Sequence, residues 1–314
     1  MKMKFLFPIL IGLGAFSLSC KKKSSEASPA PTATITQSGD SAYILSYGGL
    51  QATLDYADGG RLEVLSLNGQ NILTGKSVNA SDWGTSFWPS PQSAWGWPPS
   101  QQLDVLSYTV VQGTSPITFK SQRDPKFGYV FTKAYSINTS DTSLIVTYTI
   151  LNDTTISNKV APWEISRIAP GGLTFYPSGS EAKSGALAPL TKDSINVTWF
   201  LYNQSTIPTS GTPKLLADAS SVWLAQVSNG LLLVKSFPNV APGAEAPGEN
   251  EIELYTENTK FNYIEIENQG TYVTLAPQQT LTYTVIYKLV ALPSSISATV
   301  GNAKLVTFAT SLYK

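Results

Sequence analysis

Glu265 and Glu267 stand two residues apart in the run Tyr263-Ile264-Glu265-Ile266-Glu267-Asn268-Gln269. In an extended strand this spacing puts Tyr263, Glu265 and Glu267 on one face and Ile264 and Ile266 on the other. The two carboxyl groups then lie about 7 Å apart, from a rise of about 3.3 Å per residue. Carboxylates that close repel, so one keeps its proton to higher pH, which suits general acid–base work. The competing role is a solvated outer face. Glu251 and Glu253 alternate in the same way, and not all four can be catalytic.

A second constellation is Val160–Gly172, where Trp163, Glu164 and Arg167 interrupt an otherwise apolar run. Charged groups there are expensive to bury unless they are paired or used. A structural Glu164–Arg167 ion pair competes with a catalytic role.

The third is Trp83–Pro99, which holds four of the seven tryptophans and no charge. Pro89, Pro91, Pro98 and Pro99 cannot donate to a ladder, so the segment reads as a stiff irregular loop. Flat apolar rings beside amide and hydroxyl groups suit a sugar, whose C–H face stacks while its hydroxyls find polar partners. Trp88, Trp95 and Trp97 are expected to border such a site, with at least one ring partly exposed. The competing role for these rings is to close one end of a hydrophobic core.

Several chemistries are excluded. Histidine is absent, which removes the Ser-His-Asp triad and the commonest metal ligand. Cys20 is the only cysteine, so the folded domain has no disulfide, thiolate nucleophile or zinc cluster. A hard-cation site built from oxygens would need an Asp-rich loop, and none is seen. No metal and no cofactor are expected. Charged residues are only 13% and the formal net charge is zero, against a nucleic-acid partner.

The elements that must position these residues are strands. Tyr43–Tyr47, Leu50–Tyr56, Arg61–Leu67, Leu144–Ile150, Val222–Val227, Leu231–Phe237, Glu251–Thr256, Tyr263–Glu267 and Leu281–Leu289 all carry strand signals. Ser228-Asn229-Gly230 between two of them is a hairpin signal. A short helix is expected within Val300–Ser311, with Asn302 as its cap. With no linker after residue 41, these strands predict one large antiparallel sandwich over 41–292, followed by a C-terminal extension over 293–314.

The N-terminus reads as an export signal. Two lysines in Met1–Lys4 precede the apolar run Phe5–Leu18 and then Ser19-Cys20. The order resembles a bacterial lipobox, although Ser17 stands where leucine is usual and Leu18 comes one place later. Residues 1–20 are expected as a lipoprotein signal peptide, with Cys20 the lipidated first residue. The mature protein would then be lipid-anchored in the bacterial envelope, at the outer membrane or the periplasmic face. An ordinary signal peptide with an incidental cysteine is the competing reading. Residues 21–40, rich in Lys, Ser, Ala, Pro and Thr, are expected as a flexible tether.

Certain runs carry a family resemblance. They are Gly59-Gly60-Arg61 with Leu67-Asn68-Gly69, Phe87-Trp88-Pro89-Ser90-Pro91-Gln92, Ala161-Pro162-Trp163-Glu164, Pro170-Gly171-Gly172, and Glu265-Ile266-Glu267 before Leu275-Ala276-Pro277. Over residues 43–290 the chain resembles the bacterial DUF4380 proteins, which are similar to aldose 1-epimerases (galactose mutarotases). The resemblance implies an all-β, galactose mutarotase-like β-supersandwich with a carbohydrate site in the concave face of one sheet. It implies that Glu267, or alternatively Glu265, matches the mutarotase base at the anomeric hydroxyl. It also makes Trp88, Gln92, Trp95, Trp97, Trp163 and Glu265 the candidate sugar contacts. The mutarotase turn Leu-x-Pro-Gly is here Leu275-Ala276-Pro277-Gln278, without its glycine, and the histidine acid is missing.

Two classes of function follow, beside a structural lipoprotein with a vestigial pocket. One is an envelope-anchored protein that binds a mono- or oligosaccharide without turnover. The other is an enzyme, either an aldose epimerase or a carboxylate-pair glycosidase, using Glu267 with Glu164 and Arg167. The second requires Glu164, Arg167 and Glu267 to converge in one cleft with tryptophan rings.

Overall fold

Alternating β-branched and aromatic residues give long strands, which among the described residues join into three antiparallel sheets of five, ten and six strands. The computed structural model describes Met1, residues 32–256 and residues 262–313. Residues 2–31, which include Cys20 and most of the expected signal peptide, lie outside these residues.

The five-stranded sheet is a meander that begins with Thr34–Ser38 paired to Ala42–Tyr47. Its first strand lies inside the tether expected over 21–40, of which residues 21–31 are outside the described residues. Thr34-Ile35-Thr36 is a β-branched run, and pairing its backbone outweighs the polar composition around it.

The ten-stranded sheet is centred on Tyr129–Asn138, Ser143–Asn152 and Thr280–Ala291, whose burial alternates residue by residue. Leu231–Ser236 is buried on both faces: Leu231 and Leu233 join the principal core, and Leu232 and Val234 join a second one. The turn before it uses Asn229 and Gly230 at φ of 51° and 77°, the pair of left-handed residues that a tight hairpin requires.

The second core is closed by a helix, Ala303–Thr310, in which Leu305 and Ala309 pack with Trp199, Trp223 and Val234. Asn302 caps it by accepting a 3.0 Å hydrogen bond from the Lys304 N–H. The segment expected as an extension after residue 292 thus forms part of the packed body, and Thr32–Lys314 is one compact unit.

The six-stranded sheet runs in the order Lys214–Ala217, Ile252–Thr256, Ile264–Gln269 and Asn158–Ile168. The last of these pairs first with Val273–Leu275 and then, from Ala161 to Ser166, with Thr85–Ser90. This corrects the expectation that the proline-rich tryptophan segment is irregular throughout. Pro89 lies opposite Pro162 in the ladder, so neither position asks its partner for an N–H bond. Among the described residues Thr85–Ser90 pairs only with Asn158–Ile168, as an edge strand that tolerates proline.

Candidate functional site

Alternation along the six-stranded sheet sorts its polar residues onto two faces. Toward the principal core point Ile264, Ile266, Ile252 and Leu254. On the opposite face, register places Trp88 across from Trp163, and Trp163 across from Gln269. One step along, Ile165 faces Glu267 and Glu267 faces Glu253. A further step aligns Arg167, Glu265, Tyr255 and Lys214 across four strands. The sheet therefore presents an aromatic row beside two rows rich in charge.

This face floors a cavity of about 650 Å³, within the range of small-molecule sites. Its lining includes Trp88, Trp97 and Trp163 on one side and Lys214, Glu265 and Glu267 on the other, with Asp82, Gln92, Thr212, Tyr255 and Tyr263 completing the wall. Trp97 is 59% exposed, whereas Trp88 and Trp163 are buried in the wall and meet edge to face at 5.3 Å.

Each functional side chain has a distinct anchor. The Trp163 indole Nε1 donates a 2.6 Å hydrogen bond to Glu267 Oε2. Arg167 Nε lies 2.7 Å from Glu265 Oε1, its Nη1 donates to Ser86 Oγ at 2.8 Å, and its Nη2 is 3.6 Å from Asp82. Lys214 pairs with the buried Glu253 and lies 5.4 Å from the Trp163 ring centre. The Trp88 indole donates to Asp104 Oδ1 at 2.8 Å, and Asp104 Oδ2 is held by Arg61 at 2.9 Å. Arg61 follows the Gly59-Gly60 turn. A Cβ on Gly59, which adopts φ +69°, would sit 1.9 Å from the Asp104 carbonyl oxygen, so only glycine allows this approach.

Burial and neighbouring charge shape the titration of the cluster. Burial, with Glu253 and Glu265 nearby, pushes the Glu267 carboxyl well above the usual range, and Lys214 and the Trp163 bond only partly oppose this. Burial also raises Glu265, against the pull of Arg167. Burial raises Glu253 to about 7 in spite of Lys214. Burial works against the charge on Lys214, but Glu267, Glu253 and Glu249 outweigh it and stabilise the ammonium. Burial thus favours the protonated form of Glu267, while Glu265 sits against the Arg167 guanidinium. The cluster sets carboxyl groups in two different environments without histidine.

The structure brings Arg167, Glu265 and Glu267 together with Trp88, Gln92, Trp97 and Trp163, but it separates two other candidates. Glu164 lies on the opposite face of its strand, fully buried and ion-paired with Lys235, and it accepts a 2.7 Å bond from Ser166 Oγ. Strand alternation forces this, because Trp163 and Arg167 take the cavity face. Glu164 and Glu267 thus cannot flank one glycosidic bond, and the expected Glu164–Arg167 pair does not form. Trp95 lies outside the main cavity. Its Nε1 bonds to the Pro89 carbonyl at 2.6 Å, and its ring supports Trp88 and Trp163 and lines a separate hollow of about 190 Å³.

Sequence reasoning missed Asp82, Thr212, Lys214 and Tyr255, which line the cavity, and Glu253, which pairs with Lys214. The alternation of Glu253 was visible, but its position beside Glu267 depends on strand order. Among the described residues no group of three or more acidic or sulfur side chains is placed to hold a metal ion.

The sequence matches no protein-family model and no curated protein sequence. The fold does have solved counterparts. A galactose mutarotase-like protein from Lactobacillus casei aligns with a TM-score of 0.56 and 14% identity, covering 79% of this chain and 100% of that one. A galactose mutarotase related enzyme from Lactobacillus acidophilus gives 0.56 and 10%, covering 83% and 99%. A galactose mutarotase-like protein from Clostridium acetobutylicum gives 0.52 and 11%, covering 83% and 99%.

Proposed function

We infer that the galactose mutarotase-like antiparallel β-sandwich serves here to hold a small ligand. We propose that the protein binds a carbohydrate in the 650 Å³ cavity and is held at the bacterial envelope by a lipid on Cys20. The observation that carries the binding reading is the pairing of an exposed Trp97 and two walled indoles with Glu265, Glu267 and Lys214 in one hollow. Such a hollow offers a stacking surface and hydroxyl partners together. The DUF4380 resemblance, carried by Trp88–Gln92 and Ala161–Glu164, belongs to the same proposal.

Isothermal titration against a panel of monosaccharides and oligosaccharides tests the binding reading. Saturable binding that Trp97→Ala weakens supports it, and no binding across the panel defeats it. Cell fractionation tests the anchor. Cys20→Ala is expected to move the protein out of the membrane fraction, and an unchanged distribution defeats that part.

One observation favours a second reading, an aldose 1-epimerase-like isomerase. Glu265, held by Arg167, and Glu267, whose carboxyl burial raises well above the usual range, line the same cavity as a candidate acceptor and donor. The acceptor would take the proton of the anomeric hydroxyl while the donor protonates the ring oxygen, opening the ring for closure on either face. Polarimetry separates the readings. An isomerase accelerates mutarotation of a bound aldose and loses this in Glu267→Gln, whereas a binding protein leaves the buffer rate unchanged.

A further inference from the structure

Trp97 and Asp82 line not only the main cavity but also a second hollow of about 340 Å³ beside it. The second hollow has an apolar floor that includes Trp83, Pro98 and Val105, and a polar rim that includes Asp58, Ser81 and Gln101. Its chemistry repeats that of the first: indole and aliphatic surface next to hydroxyl, amide and carboxylate groups. Arg61, which also borders it, is committed to Asp104 at 2.9 Å and stacks 4.8 Å from the Trp83 ring centre, so the hollow offers no free guanidinium for an anion. Trp97 stands on the boundary, 59% exposed, although an indole of that size is normally covered. A single sugar unit in the main cavity would leave the far hollow empty. A linked second unit would cover the shared ring and fill it.

We propose that the cleft takes a glycan of two or more linked sugar units, with one unit against Glu265 and Glu267, the next over Trp83 and Val105, and the linkage crossing at Trp97. This rests on the carbohydrate reading above and names the size class of its ligand. Among the described residues the cations at the two hollows are paired, Arg167 with Glu265, Lys214 with Glu253 and Arg61 with Asp104, so the test uses neutral glycans.

The test is calorimetric titration of the mature chain with cello-, malto-, manno- and galacto-oligosaccharides of one to four units. In the series that binds, the disaccharide is expected to bind about tenfold more tightly than the monosaccharide, the gain of one further ring contact. Ala80 is exposed at the edge of the second hollow, so Ala80→Trp fills it without touching the core. This variant is expected to erase the gain with chain length and to leave the monosaccharide affinity unchanged. Trp97→Ala is expected to weaken every length. Equal affinity for one and two units, or a gain that survives Ala80→Trp, overturns the two-unit cleft and leaves the carbohydrate reading standing. Failure of every length to bind overturns the carbohydrate reading itself, and the cleft with it.

Discussion

Trp163 Nε1 and Glu267 Oε2 are 2.6 Å apart, so the indole that walls the cavity also fixes the carboxyl at its floor. The bond joins the aromatic row to the acidic row across two neighbouring strands, Asn158–Ile168 and Ile264–Gln269. It places a hydrogen-bond donor on a carboxyl that burial has driven toward the protonated state, which leaves the other oxygen as the proton carrier.

This geometry separates two substitutions at Glu267. Glu267→Gln keeps an acceptor for the indole and removes a potential negative charge beside Glu253 and Glu265, so its stability is expected to match or exceed wild type. Glu267→Ala leaves the buried Trp163 N–H without its partner and is expected to cost about 1–3 kcal/mol. Urea unfolding of both variants checks this. Equal destabilisation by the two would show that the bond to Trp163 does not hold the site.

The pair Glu164–Lys235 is a structural counterpart on the other face of the sheet. Both side chains are fully buried, and Lys235 Nζ also donates to the Ile266 carbonyl at 3.0 Å. Lys235→Met strands a buried carboxylate and is expected to cost about 3–5 kcal/mol. Adding Glu164→Gln should restore much of that loss, because the uncompensated charge goes with it. The double variant should bind any ligand of the cavity as wild type does, since Glu164 faces away from it. Loss of binding in the double variant with a native fold would return Glu164 to the site.

Much of the fold was legible because burial enforces a period of two. Ile264 and Ile266 identify the core face of their strand, which places Glu265 and Glu267 together on the other face. The failures share a physical cause, since each depended on a partner supplied by strand order. Glu164 meets Lys235 and Arg167 meets Glu265 only through the packing and pairing of strands distant in sequence. Lys214 carries no signal in the sequence alone, and only register sets it in line with Tyr255 and Glu265. Thr85–Ser90 was hidden by its proline, because the tolerance of an edge position opposite Pro162 cannot be seen from one strand alone.

Gln278 closes the Leu275-Ala276-Pro277-Gln278 turn in a left-handed conformation. It adopts φ +61°, which glycine takes without steric cost. Its N–H bonds to the Asn152 carbonyl at 2.8 Å, which keeps the turn closed despite the side chain. Gln278→Gly is expected to stabilise the protein by about 0.5–1 kcal/mol, the relief of left-handed strain less the added freedom of the unfolded chain. Gln278→Ala should bring no such gain. Guanidinium unfolding midpoints of the three proteins decide the matter, and a midpoint for Gln278→Gly at or below wild type would falsify the strain argument.

The pH dependence of stability follows from Glu251, which is fully buried near the site. Its two carboxyl oxygens accept the Val240 and Ala219 N–H groups at 2.9 and 3.0 Å. Burial raises its pKa from 4.5 to about 8, although those two bonds pull the other way. The folded chain then keeps a proton that the unfolded chain releases near pH 4.5. Its stabilising contribution is complete below that pH and is lost as pH rises toward 8. Glu253, raised by burial to about 7, acts with the same sign over the lower part of that window. Lys133 acts with the opposite sign. Burial lowers its pKa from 10.5 to about 7, so from pH 7 upward it contributes a rise in stability with pH. The steepest loss is therefore expected between about pH 5 and 7, at about 1.4 kcal/mol per pH unit for each proton released. Glu251→Gln is expected to flatten that slope by the share of one proton, read as urea unfolding free energies at pH 5, 6, 7 and 8. A wild-type protein that gains stability from pH 5 to 7, or a Glu251→Gln variant with an unchanged slope, would rule out Glu251 as a group buried in its neutral form.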